Sequence, residues 1–321
     1  HIPALAEGYM RHCYPVVATV LSFVSRLFPF SLLDVLFIAS VVLFILGVVL
    51  LLLHRLSLRR WIRTTVLALL WLPAWFYMSW GVGYFRPDFY ARSGMLQQTA
   101  DKEFFETFVL RYIDSLNCAY PAVKDFNANA VNKEIERQYG RYRSTLLLPY
   151  PCGTRRIKHT IAEPLMTRMG VSGYFDPFFN EVHLNGFLLP ESYPFTLAHE
   201  KAHQLGIASE AECNFFASVV CTASDHPLVK YSGYLQTVSY LLGGVRRISP
   251  DEYRRIYGQI DARIIVDYRR IREHWQKKEH RKLSDMQYKI YDVYLKTNKQ
   301  RSGVLSYSEM VGLLVAWDCK K

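Results

Sequence analysis

Two apolar runs lying close together constrain this chain more than any other feature. Val35 to Leu53 is nineteen residues without a charge, and Val66 to Phe85 is twenty, again uncharged and carrying Trp71, Trp75, Tyr77 and Trp80. A hydrocarbon core of about 30 Å needs roughly twenty apolar residues in a helix, so each run is long enough to cross one. Uncharged helices of that length are uncommon in soluble domains. Two transmembrane helices are therefore expected over residues 35–85, the second tolerating Pro73 as a kink. An aromatic content of 15% agrees with a surface at the membrane interface. Between the runs, the loop 54–63 holds Arg55, Arg59, Arg60 and Arg63. Basic loops stay on the cytoplasmic side, which places both residues 1–34 and residues 86–321 on the opposite side.

Within residues 1–34, Tyr9 to Phe30 is apolar but interrupted by Arg11, His12 and Arg26. It reads as an interfacial amphipathic helix, not a third span. The chain starts at His1, so a cleaved signal or a further span is expected upstream. From Arg86 onward the pattern is globular. Helices are expected over Ala100–Leu116, Asn129–Tyr139, Glu210–Ala223, Tyr231–Leu242, Pro250–Arg281 and Ser284–Tyr294. Arg143–Leu148 and Gly173–Leu184 read as extended, the second at a sheet edge because it contains Pro177. The expected fold class is α+β, mainly helical: two membrane helices followed by a domain with a small edge-stranded sheet.

The net charge of +11 raises the question of nucleic acid. The basic residues are spread along the chain, and the run from Arg263 to Lys282 is interspersed with Asp267, Glu273 and Glu279, as on a solvated helix face. No zinc-finger, RNA-recognition or phosphate-loop motif is present, and nucleic acid is not expected as a partner.

The chemistry concentrates in Thr196-Leu-Ala-His-Glu-Lys-Ala-His-Gln-Leu-Gly206. His199 and His203 are four residues apart, which on a helix stacks both imidazoles on one face and lets them share a metal ion. Glu200 lies about a hundred degrees round the helix, near enough to serve as base to a water on that metal. Gly206 suits a helix C-terminus where the chain reverses. Lys201 stands where such motifs usually carry an apolar residue, a position that can face solvent without disturbing the ligands.

Catalytic zinc takes three protein ligands and leaves one position open. Ser209 occupies the place where a metzincin would carry its third histidine, so that pattern fails. Glu210 and Glu212 are the candidates, with His183 as an outsider. Ser209-Glu-Ala-Glu212 fits a capping box in which Glu212 reaches back to the Ser209 amide. Asn214 lies one turn beyond Glu210 and is placed to orient a ligand histidine. The choice falls on Glu210, with Glu212 kept open. The extended segment before the motif could hold a substrate backbone by strand addition, with Asn180, Glu181 and Asn185 near the cleft, or could simply be a polar-blunted edge.

Among the six cysteines, Cys213 and Cys221 fall on one expected helix, too far apart to bridge. Cys118 and Cys152 sit in loop-like sequence near Pro121 and Pro151 and form the disulfide candidate in an oxidising compartment. No Cys-x-x-Cys pair supports a structural zinc ribbon or a redox site.

Glu-x-x-x-Asn following His-Glu-x-x-His is similar to the gluzincin arrangement, which implies Glu210 as third ligand. Pro29-Phe-Ser31, the His-Glu-Lys-Ala-His-Gln-Leu-Gly helix with Glu-Ala-Glu-Cys-Asn-Phe after it, Tyr231-Ser-Gly-Tyr234 and Gly303-Val-Leu-Ser-Tyr307 extend the likeness over nearly the whole chain. Together they resemble an uncharacterised bacterial family of membrane-anchored His-Glu-x-x-His proteins found in Bacteroidetes and Firmicutes. The resemblance implies a zincin-like metallopeptidase in the bacterial inner membrane, multi-pass, with a periplasmic catalytic domain over 86–321. Members typically carry one more N-terminal span, and the family supplies no substrate. The expected activity is hydrolysis of peptide bonds, with Zn2+ on His199, His203 and Glu210, and with Glu200 as general base. Tyr231, Tyr234 and Tyr307 are candidate oxyanion or substrate contacts. The expected partners are a peptide or protein substrate and the lipid bilayer. A non-catalytic peptide-binding sensor or scaffold is the alternative, though binding alone does not require Glu200.

Overall fold

The chain begins with two short helices, α1 (Ile2–His12) and α2 (Tyr14–Arg26), and a long pair, α3 (Leu32–Leu52) and α4 (Leu58–Ser79). A 3-10 turn over Gly81–Phe85 and the short α5 (Phe89–Ser93) lead into α6 (Lys102–Ala119) and α7 (Ala128–Tyr142). Next come β1 (Ile157–Lys158), α8 (Glu163–Arg168) and a hairpin of β2 (Gly173–Asp176) and β3 (Glu181–Leu184). Helices complete the chain: α9 (Tyr193–Gln204), α10 (Glu210–Thr222), α11 (Pro227–Ile248), α12 (Pro250–Tyr257), α13 (Ala262–Gln276), α14 (Arg281–Thr297) and α15 (Tyr307–Cys319). This computed structural model describes residues 2–98, 101–121, 125–151, 153, 155–298, 300 and 307–320, with backbone alone at 307 and 308.

Helix α9 is the hub. It packs against α7, α10, α11 and the β2–β3 hairpin. Such a helix has no solvated face, and Phe195, Leu197, Ala198, Lys201, Ala202 and Gln204 are all buried. The three strands run in the order β1–β3–β2, with β3 parallel to β1 and antiparallel to β2, and Tyr174 opposite His183. The expected extended segment is thus a tight hairpin, turned at Asn180, whose φ of 57° suits asparagine. Its edge is β2 alone. The main core fills the space between α6, α10, α11 and α15, through Phe108, Ile113, Phe215, Phe216, Leu241 and Leu314.

Several expected boundaries move. Arg143–Leu148 is not extended: it forms turns after α7, closed by bonds from the amides of Leu146, Leu147 and Leu148 to the carbonyls of Tyr142, Ser144 and Arg143. Pro250–Arg281 divides into α12 and α13, because Asp261 caps a new helix through the Arg263 amide. Helix α15 was not expected.

The largest correction concerns the membrane. Among the described residues one helix, Leu32–Leu52, is long and apolar enough to cross a bilayer, where two were expected. The second helix starts earlier than its apolar run, at Leu58, and so carries Arg59, Arg60 and Arg63 in its opening turns. It also stops earlier. Trp80 and Tyr84, expected within the span, instead bury against the domain in the 3-10 turn. Helices α3 and α4 pack as an antiparallel pair in which the Trp61 ring lies over Gly47, the one buried residue of α3. Both ends of the pair meet the same body. Ser31, capping α3, contacts His183 on β3, and the Trp75 indole donates to the Phe178 carbonyl at the hairpin.

Residues 2–34 are equally tied down. One face of α1 and α2, formed by Ala6, Met10, Tyr14, Ala18, Ser22 and Ser25, is buried. Asn180 donates to the Ala18 carbonyl and Ser22, and Glu181 accepts from Ser25 and the Leu32 amide. Lys158 donates to the carbonyls of Ser25, Phe28 and Phe30. The opposite face leaves Leu5, Val16, Val20, Phe23 and Leu27 exposed.

Candidate metal centre

The site is assembled where the C-terminal half of α9 meets the first turn of α10. Helix α9 ends at Gln204 with Leu205 as its C-cap, and Gly206 (φ 90°) reverses the chain; a Cβ there would lie 2.8 Å from Tyr14 and 2.9 Å from Pro149. Three residues later Ser209 caps α10 by accepting from the Glu212 amide, which puts Glu210 at the first helical position. The last carbonyls of a helix lack intrahelical donors. Here Trp80 donates to the His203 carbonyl, Tyr14 to that of Gln204, and Arg86 to that of Gly206. The elements before residue 87 therefore help to hold α9 in place.

His199, Glu200 and His203 bring one ligand atom each within 4.8 Å of one another. The histidine Nδ1 atoms point outward: His199 Nδ1 is 2.9 Å from Asn214 Oδ1, and His203 Nδ1 is 2.8 Å from the Ile207 carbonyl. Both acceptors select the Nδ1–H tautomer, leaving the Nε2 lone pairs facing inward. Glu210 presents Oε2 to His199 Nε2 at 3.2 Å and Oε1 to His203 Nε2 at 3.4 Å. These separations are long for charge-assisted hydrogen bonds. Each, measured to a different carboxylate oxygen, is close to the spacing of about 3.3 Å between ligand atoms on a tetrahedron with bonds of 2.0–2.1 Å. The donor set therefore fits a divalent metal of the zinc type. Burial opposes the charge of Glu210, but protons on the histidine Nε2 atoms, standing where a metal would, outweigh it and hold the carboxyl well below the usual range. Burial raises the pKa of Glu200, which points past the histidines toward β2. At Gly173 of β2 a Cβ would sit 2.9 Å from the His183 carbonyl and from Leu184 and 3.2 Å from the Glu200 Cγ, so the strand lies close against this side chain.

The surroundings differ from the sequence expectation in instructive ways. Lys201 does not face solvent; it is 1% exposed and donates to Glu136 at 2.5 Å, where Arg155 also binds. Burial would raise the pKa of Glu136, but these two cations hold it at about 2. Glu212 does not reach back to its cap residue. Its carboxylate pairs with Arg92, turned away from the histidines, and it is no ligand here. His183 stacks on Tyr174 and contacts Ser31, outside the cluster. Asn214 lies against His199 Nδ1. Asn180 and Glu181 serve the α2 interface, and Asn185 bonds Thr167 and the Val171 carbonyl, so none of the three lines the cleft.

The tyrosines also change. Tyr231 is fully buried and donates to Asp267, and Tyr234 packs in the core beside Tyr112. Tyr307 opens α15, and its side chain lies outside the described residues. The tyrosines that reach the site went unrecognised in the sequence. Tyr291 of α14 donates to Glu210 Oε1 at 2.5 Å, and Tyr240 of α11 donates to Asn214 Oδ1 at 3.1 Å. The one available signal was the spacing of Gln287, Tyr291 and Tyr294, which puts them on one face of α14. Cys118 is an exposed free thiol on α6, and Cys152, its expected disulfide partner, lies outside the described residues.

Two cavities of about 430 Å³ each meet at the cluster and share His199, Glu200, Glu210 and Tyr291 as walls. One runs beside the β2 edge under Phe76, Trp80, Phe175 and Tyr294. The other is bordered by Thr196, Asn214, Gln236, Tyr240 and Trp275. The cluster thus sits in the middle of a cleft, not at a blind end. No curated protein and no solved structure matches the chain. A family described as Protein of unknown function (DUF3810) matches residues 9–315, nearly the full length, and the chain belongs to that family.

Proposed function

We propose that this protein is a membrane-anchored zinc metallopeptidase. The observation that carries this reading is the placement of both histidine Nε2 atoms at tetrahedral spacing from Glu210, with Glu200 beside them in an open-ended cleft. His199, His203 and Glu210 would hold the ion, with the outer contacts from Asn214, the Ile207 carbonyl and Tyr291 fixing their orientation. When bound, zinc supplies Lewis acidity, making water nucleophilic near neutral pH and polarising the scissile carbonyl. Glu200 accepts the proton of the attacking water and returns it to the leaving amine; its buried position raises its proton affinity in the direction such a base requires. The free edge of β2 offers backbone groups to an extended peptide, and Tyr291, bonded to Glu210, brings a hydroxyl to the cluster. A pure peptide-binding scaffold would gain nothing from burying Glu200 there.

Helix α3 serves as the anchor, and α4 returns along it, since both ends of the pair join one domain. With Arg55, Arg59, Arg60 and Arg63 at the far end on the cytoplasmic side, the cleft lies on the extracytoplasmic side. The test is metal content together with cleavage of an unstructured protein by the purified full-length chain. About one zinc per chain is expected, with proteolysis that stops on chelation and returns with zinc. A chain that takes up no zinc, or that binds zinc and cleaves nothing in a broad peptide library, overturns the reading.

A further inference from the structure

Beyond the metal centre, one surface cavity carries an unbalanced charge. It measures about 410 Å³ and lies where α11 meets α12 and α13. Arg246, Arg269 and Arg272 line it together with Tyr253, Tyr257 and Tyr268, and no carboxylate is among its walls. Other arginines on α12 and α13 have found acids: Arg254 pairs with Asp251, Arg255 with Glu106, Arg263 with Asp261, and Arg270 with Glu191 and Asp267. Among the described residues the three cavity arginines have no such partner. Arg269 and Arg272 are three apart on one face of α13, and Arg246 lies over the Tyr253 ring at 5.8 Å. These three exposed guanidiniums give the hollow a positive lining with no anion among its walls, and a ligand carboxylate there can accept paired guanidinium bonds.

The hollow is connected to the cleft along α11. It shares Ser239 and Gly243 with a cavity of about 880 Å³, and that cavity shares Gln236 and Tyr240 with the polar half of the metal cleft. Positions 236, 240, 243 and 247 recur at helical spacing, so one face of α11 is the floor of the whole path. Gly243 interrupts this face with a poor helix former. A Cβ there would meet nothing within 4 Å, so packing does not demand glycine, and its absence leaves the helix backbone open to close approach. From Tyr240 to Arg246 the helix rises about 9 Å, a distance that an extended peptide covers in about three residues.

We propose that the Arg246–Arg269–Arg272 hollow is an anion subsite that binds an acidic stretch of the peptide substrate, several residues from the scissile bond and on the α11 side of the cleft. This assignment rests on the peptidase reading for its link to cleavage, but binding can be measured without cleavage. The experiment uses full-length Glu200→Gln protein and two fluorescein-labelled peptides that differ only in a run of three aspartates or three asparagines. Fluorescence anisotropy should show the aspartate peptide binding about tenfold more tightly or better at low salt, with the advantage fading toward 1 M salt, where the screening length falls to about 3 Å. Arg246→Glu, Arg269→Glu and Arg272→Glu, singly and together, should abolish that preference. Arg254→Glu, an exposed charge change outside the hollow, should leave it in place. Equal affinity for the two peptides, or a preference that survives the triple substitution, overturns the subsite. Zinc-loaded wild type then separates the two ideas. Arginine-dependent binding without cleavage keeps the subsite and sinks the peptidase, whereas cleavage indifferent to aspartate does the reverse.

Discussion

Glu210 and Glu212 stand two residues apart in one turn of α10, and their removal should have opposite consequences. Glu210 reaches both histidine Nε2 atoms at 3.2 and 3.4 Å. A complete zinc site contributes roughly 10–16 kcal/mol over four ligands, so one ligand carries about 3 kcal/mol. Glu210→Ala should therefore weaken zinc binding by about 10²-fold, at 1.4 kcal/mol per factor of ten. The apo fold should be little harmed, because the carboxylate's partners are the two histidines and the Tyr291 hydroxyl. Glu212 is different. Its side chain is 8% exposed, and that of its partner Arg92 is 3% exposed. Breaking a buried pair by removing one partner costs about 3–5 kcal/mol, because the remaining charge is stranded. Arg92 Nη1 already lacks a hydrogen-bond partner, which leaves it poorly placed to compensate. Glu212→Ala should thus lower the unfolding midpoint clearly while the surviving folded protein binds zinc like wild type. Competition with a chromogenic chelator gives the zinc affinity, and thermal melts of the apo protein give stability. A Glu210→Ala protein with wild-type affinity, or a Glu212→Ala protein that folds normally and loses zinc, would refute the assignment.

Other expectations follow from the same geometry. Glu200→Gln should keep zinc content and stability while peptidase activity falls by about 10² or more, the usual contribution of general acid–base catalysis; wild-type turnover would exclude Glu200 as the base. Tyr291→Phe should weaken zinc binding by about tenfold, as loss of an outer contact does, with kcat falling and KM little changed if the hydroxyl also serves the reaction. Burial pushes Asp176 up to about 7. The folded state then binds a proton that the unfolded chain releases near pH 4, so stability should decline by about 4 kcal/mol as pH rises from about 4 to 7. Asp176→Asn should flatten that slope in denaturant titrations across this window, and an unchanged slope would assign the dependence elsewhere. Cys118 should react with a membrane-impermeant maleimide in intact cells, whereas buried Cys213 and Cys221 should not; protection of Cys118 would reverse the proposed sidedness or reveal a bridge.

The sequence by itself determined those features whose causes lie within a few residues. A four-residue spacing puts His199 and His203 on one face whatever else the chain does. Ser209 before an acidic turn marks a helix start, Gly206 marks a reversal, and an uncharged run makes α3 an apolar helix. Asn214 was legible because Glu210 lies one turn away on the same helix. Tertiary structure decided everything that depended on a distant neighbour. Lys201 looks like a surface residue until Glu136, more than sixty residues upstream, provides a buried counter-charge that it shares with Arg155. Glu212 looks like half of a capping box until Arg92 competes for it with a full charge. The second apolar run ends early because Trp80 gains more from capping the His203 carbonyl and packing on the site than from continuing a span. Tyr291 and Tyr240 reach Glu210 and Asn214 from helices whose docking angles no local pattern encodes, because many packings bury the same faces and only the complete set of neighbours selects one.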